Sequence, residues 1–178
     1  AARRAGWIRH YLPGGPHGVR RTRKGSIPAR QGRPADTNRA VAPTQGGTSN
    51  RYLRGAGGGG RVRLTNNRAS DTEPSFAPDG KFILFTPDRA GTPQIYRMRA
   101  DGQGEAERMT FDGTYNVTPR YSPDGKSFIF IHREEGRFNV ALQEIATRQM
   151  QILTAGSLDQ SPTYAPNGKM ILYASEVK

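Results

Sequence analysis

Phe76-Ala-Pro-Asp-Gly-Lys81, Tyr121-Ser-Pro-Asp-Gly-Lys126 and Tyr164-Ala-Pro-Asn-Gly-Lys169 are three copies of one hexapeptide. Their prolines, Pro78, Pro123 and Pro166, stand 45 and 43 residues apart. Two further landmarks keep step with them. One is Leu64-Thr65, Met109-Thr110 and Leu153-Thr154; the other is Glu73-Pro74, Thr118-Pro119 and Ser161-Pro162. Three landmarks on one period of about 44 residues define a repeat of the length typical of a four-stranded propeller blade.

Local chemistry supports strands between these landmarks. Pro-Asp-Gly is a turn sequence, because Pro presets φ, Asp bonds its own backbone and Gly takes positive φ. After each turn comes a short apolar run: Phe82-Ile-Leu-Phe85, Phe128-Ile-Phe-Ile131 and Met170-Ile-Leu-Tyr173. These runs are aromatic and β-branched and lack helical spacing, so they read as strands covered on both faces. Gln94–Arg99 and Phe138–Gln143 read as third strands, and Ala106–Thr110 and Met150–Thr154 as more polar fourth strands. The expected class is all-β, a partial propeller of four-stranded, WD40-like blades. A β-sandwich is the alternative, disfavoured by the regular reuse of the same turn residues.

Charge divides the chain into two parts. The formal net charge is +12, yet residues 1–63 hold 14 of the 27 Lys and Arg against one acid, Asp36. Residues 64–178 hold 13 bases against 14 acids, so the whole excess sits in the first third. Residues 1–62 are therefore set apart as a basic Gly-, Arg- and Pro-rich segment, poorly ordered or degenerate, and 63–178 as propeller blades. The blade spacing nevertheless continues backwards, from Tyr96 to Tyr52 and from Tyr52 to Ile8. That retained frame favours a decayed blade over a free anion-binding arm, and nucleic acid is not an expected partner.

Catalytic and metal motifs do not emerge. There is no cysteine, and His10, His17 and His132 are too scattered for a local metal motif. No Gly-x-Ser-x-Gly elbow or phosphate loop occurs. His132, after an inner strand, reads as a loop or rim residue. Asp79 and Asp124 repeat inside the turn sequence and read as turn formers. No apolar run approaches the 18–20 residues that span a bilayer, so no membrane insertion is expected. The remaining candidates are the loops that lead into each innermost strand: Asp71-Thr-Glu73, Asn116-Val-Thr118 and Asp159-Gln-Ser161. In a propeller these ring one mouth of the central channel, where partners commonly dock.

Leu64-Thr-Asn-Asn-Arg68, Asp71-Thr-Glu-Pro-Ser-Phe-Ala-Pro-Asp-Gly-Lys81, Pro93-Gln-Ile-Tyr-Arg97 and the closing Ala165-Pro-Asn-Gly-Lys-Met-Ile-Leu-Tyr-Ala-Ser175 resemble the TolB propeller family. The likeness covers residues 62–178 closely and 20–61 only as a remnant. It implies a non-enzymatic scaffold of the periplasmic Tol–Pal system, without cofactor, which maintains outer-membrane integrity and supports division. Bacteriocins exploit that system for their own uptake. The implied partner is the peptidoglycan-associated lipoprotein Pal, with other Tol proteins as further candidates. By position, Thr72 and Glu73 are the leading partner contacts, and Asn116, Thr118, Gln160 and Ser161 follow by blade equivalence. Glu73→Lys is expected to weaken docking without unfolding. The alternative is the propeller of a peptidase or other hydrolase whose catalytic domain lies outside this chain. The chain starts Ala-Ala-Arg-Arg and ends two strands into a blade, as a fragment would. An open ring is expected to expose sheet edges and to aggregate.

Overall fold

The computed structural model describes residues 5–11, 53–55, 61–65, 70–87 and 92–176. Thirteen strands are found there. They are β1 (Ala5–Tyr11), β2 (Leu53–Gly55), β3 (Arg61–Arg63), β4 (Asp71–Phe76), β5 (Phe82–Pro87), β6 (Tyr96–Arg99) and β7 (Glu107–Arg108), then β8 (Tyr115–Tyr121), β9 (Ser127–Glu134), β10 (Arg137–Glu144), β11 (Met150–Ile152), β12 (Asp159–Tyr164) and β13 (Met170–Glu176). Strands β4 to β7 form one four-stranded antiparallel sheet in chain order, and β8 to β11 form a second. A third sheet runs β12, β13, β1, and β2 pairs with β3 as a separate hairpin. The remaining residues of the basic segment lie outside the described ones.

Each blade begins the same way. The Asp79, Asp124 and Asn167 side chains accept the backbone N–H two residues on, at 2.9, 3.0 and 3.0 Å, as expected for turn formers. Gly125 takes φ 71°, which closes the turn at no steric cost. The inner strand then hands over to the apolar second strand.

Packing explains why those second strands are apolar without alternation. Along β9, Phe128 and Phe130 join Ala77, Leu84, Ile95 and Met109 of the preceding blade. The intervening Ile129 and Ile131 join Ile171 and Tyr173 of the following one. A strand sandwiched between two neighbours buries both faces, and side chains of this size contribute about 1.5–3 kcal/mol each when buried. Strand β13 departs from the expectation. Ile171 and Tyr173 are buried, but Leu172 is exposed, so only the face toward β9 is covered.

The edge of β13 is not open, contrary to the expectation from sequence. It carries β1, antiparallel, over seven consecutive residues. The register repeats that of the other blades: Ile8 stands opposite Tyr173, as Tyr96 stands opposite Phe85 and Ala141 opposite Phe130. β1 therefore takes the third-strand place that the 44-residue frame assigns to Ile8.

Candidate functional site

The inner strands β4, β8 and β12 all start at one mouth, and all three break register at the same place. The ladder slips between Thr72 and Ser75, between Val117 and Arg120, and between Gln160 and Thr163. Within each bulge one residue is left-handed: Glu73 at φ 58°, Thr118 at 58° and Ser161 at 51°. A non-glycine residue there costs on the order of 1–3 kcal/mol. The following proline restricts it further. Such strain repeated in three blades requires compensation from the surrounding structure.

Glu73 supplies it for the second blade. Its carboxylate reaches across the interface and accepts the Thr118 backbone N–H at 2.7 Å and the Thr118 hydroxyl at 2.8 Å. Both residues are half-buried. Behind them Thr72 donates its hydroxyl to the Thr86 carbonyl at 3.1 Å, and Ser75 Oγ accepts the Tyr121 N–H at 3.1 Å. Glu73 is therefore an inter-blade clamp, and reversing its charge would disturb the fold as well as the surface. The expectation that Glu73→Lys would leave the fold undisturbed does not fit this geometry.

Asn116 is fully buried and gives nothing to the surface. Its amide donates to Gln94 Oε1 and to the Asp112 carbonyl, both at 2.8 Å, and its Oδ1 lies 2.7 Å from His132 Nδ1. Since Asn116 Oδ1 can only accept, His132 Nδ1 carries the proton. His132 is thus a buried residue of β9, not a rim residue; its Nε2 has no hydrogen bond. A Cβ on Gly113 would meet His132 Cε1 at 2.5 Å, so glycine is what admits the ring. Thr110 completes the network, donating to Gln94 Oε1 at 2.8 Å and accepting the Ile95 N–H at 3.0 Å.

The next blade repeats the pattern with other residues. Thr154 accepts the Val140 N–H at 2.9 Å and donates to the buried Asp159, and Asn139 donates to the Gly156 carbonyl at 2.8 Å. The period made the threonines visible, but it did not reveal what they bond. That depended on Gln94 and Asp159, which occupy different places in their blades.

The six candidates accordingly fall into three kinds. Asn116 belongs to the buried network. Glu73 and Thr118 tie the first two blades together at the mouth, and Thr72 sits beside them, bonded to Thr86 within its own blade. Gln160 and Ser161 stand exposed in the third blade. At the outer edge a second tie joins the same two blades. Arg148 bonds Glu107 and donates to the Arg108 carbonyl at 2.9 Å, and Arg97 bonds Glu107 at 2.9 Å. Desolvation alone would push the Glu107 carboxyl up, but the two guanidinium groups outweigh it and hold it below the ordinary range. Among the described residues no group of three His, Asp or Glu could hold a metal.

Comparison with known proteins agrees with this architecture. A family profile described as "TolB beta propeller domain" matches residues 17–178. The Tol-Pal system protein TolB of Bordetella parapertussis is 52% identical over 125 residues, 70% of this chain and 28% of that protein. The corresponding protein of Nitrosomonas europaea is 56% identical over 48 residues, 27% of this chain and 11% of that protein. The chain thus spans well under half of these relatives. The crystal structure of TolB from Acinetobacter baumannii superposes with a TM-score of 0.64 at 31% identity, over 78% of this chain and 40% of that one.

Proposed function

The chain belongs to the TolB β-propeller family, and from that premise we propose that it serves the periplasmic Tol–Pal system as a non-catalytic docking scaffold. In this reading the mouth formed by the starts of β4, β8 and β12 receives the peptidoglycan-associated lipoprotein Pal. The complex would help to keep the outer membrane attached during growth and constriction.

One observation carries the reading. Three blades hold a strained left-handed residue at the same bulge of the same mouth, and strain that a fold maintains in register is characteristic of ligand clamps and binding rims. A rim built from bulged strands loses little freedom on docking, which favours affinity. Isothermal titration of the full chain with the periplasmic domain of Pal tests it. A saturable one-to-one isotherm is expected. No heat and no co-elution from a chain with folded β circular dichroism would remove Pal as the partner.

A further inference from the structure

The two joints between successive inner strands are built alike but filled differently. At the first, Thr118 presents two donors side by side, its left-handed backbone N–H and its hydroxyl, and the Glu73 carboxylate takes both at 2.7 and 2.8 Å. At the second, Ser161 repeats every element of that receptor. It has φ 51° against 58°, lies in the equivalent bulge, precedes Pro162 as Thr118 precedes Pro119, and carries a hydroxyl.

Among the described residues no carboxylate accepts from the Ser161 hydroxyl or N–H. The residue in Glu73's place is Thr118, whose short side chain ends at the hydroxyl that it already gives to Glu73. The acid two residues before Ser161 in the chain, Asp159, is fully buried and turned toward Thr154 and Gly156. Ser161 and its neighbour Gln160 are exposed. The first joint shows what such a pair of donors binds when an acid is within reach.

We propose that the Ser161 N–H and hydroxyl form a carboxylate-binding site, filled by an Asp or Glu side chain of the docking protein in the way that Glu73 fills the Thr118 pair. Charge-assisted hydrogen bonds from two donors fix position as well as adding affinity. The inference rests on the docking reading above only for the source of the carboxylate, not for the existence of the site.

The test is an amide-resolved NMR titration of the full chain with sodium acetate, against sodium chloride at equal ionic strength. The Ser161 amide is expected to move downfield and to saturate with acetate only. Ser161→Ala, which keeps the N–H and loses the hydroxyl, is expected to weaken acetate about three- to tenfold. Glu73→Ala frees the first receptor, so the Thr118 amide should then respond as well. A Ser161 amide that moves no more than other exposed amides, or Ser161→Ala with unchanged affinity, overturns the proposal. In a parallel titration with Pal, single Asp→Asn and Glu→Gln variants of Pal should include one that weakens binding to wild type but not to Ser161→Ala. Loss of Pal binding with an intact acetate response counts against the docking reading and for the carboxylate site.

Discussion

Removing the Glu73 carboxylate should cost more stability than its position at a rim suggests. The two hydrogen bonds that it accepts from Thr118 are short and charge-assisted, a class with net values of about 1.5–3 kcal/mol each in protected sites. Half-burial screens part of this, and Thr118 must still hold its left-handed backbone without support. Glu73→Ala is therefore expected to cost about 2–3 kcal/mol in all. With a urea m-value of about 1–3 kcal/mol/M, the midpoint falls by roughly 0.7–3 M. Thr118→Ala removes only the hydroxyl and should cost about 1 kcal/mol. Because both changes break the same contact, their effects must not add; a coupling of about 1 kcal/mol is expected from the double-mutant cycle. Additivity within about 0.3 kcal/mol, with each single variant folded, would refute the clamp.

Three other outcomes follow from the packing. Phe130→Ala empties the interface between the first two blades, where the ring is fully buried, and should cost about 3–5 kcal/mol by chemical denaturation. Thr110→Val leaves the Ile95 N–H and one side of Gln94 without their partner, and a loss of about 1–3 kcal/mol is expected from the same assay. Burial pushes the Tyr121 and Tyr164 phenols up to about 12. The folded state thus keeps these protons longer than the unfolded one. Stability is complete below the ordinary value of 10.0 and is lost as pH rises from there through about 12. Absorbance at 295 nm should show both phenols ionising together with loss of β-structure; ionisation near 10 without unfolding would contradict their burial.

Much of the architecture was readable because a propeller repeats its turn chemistry. Each Pro-Asp-Gly or Pro-Asn-Gly turn closes as its residues require, and the unbroken apolar runs mark strands buried on both faces. Leu172 was the exception. Nothing in Met170-Ile-Leu-Tyr173 distinguishes it from Phe82-Ile-Leu-Phe85, because exposure depends on the neighbouring blade and not on the strand itself. The site was legible as a place but not as a set of contacts. Equivalent positions led to Glu73, Thr118 and Ser161, yet periodicity carries no information about which side chain crosses to the next blade. Asn116 shows the cost of arguing by equivalence alone: it stands at the equivalent place, inside β8 and not in a loop, but turns inward to meet Gln94 and His132. The blade frame found at Ile8 became meaningful only through its pairing with Tyr173 across the chain, a contact too distant in sequence for local patterns to reveal.

Hydrogen–deuterium exchange of the full chain, with and without the periplasmic domain of Pal, tests most directly whether the mouth is the docking surface. Protection is expected to concentrate in 71–76, 115–121 and 159–164, and to leave the Pro-Asp-Gly turns at the opposite end unchanged. Protection confined to those turns, or to the outer strands β7 and β11, would contradict the assignment.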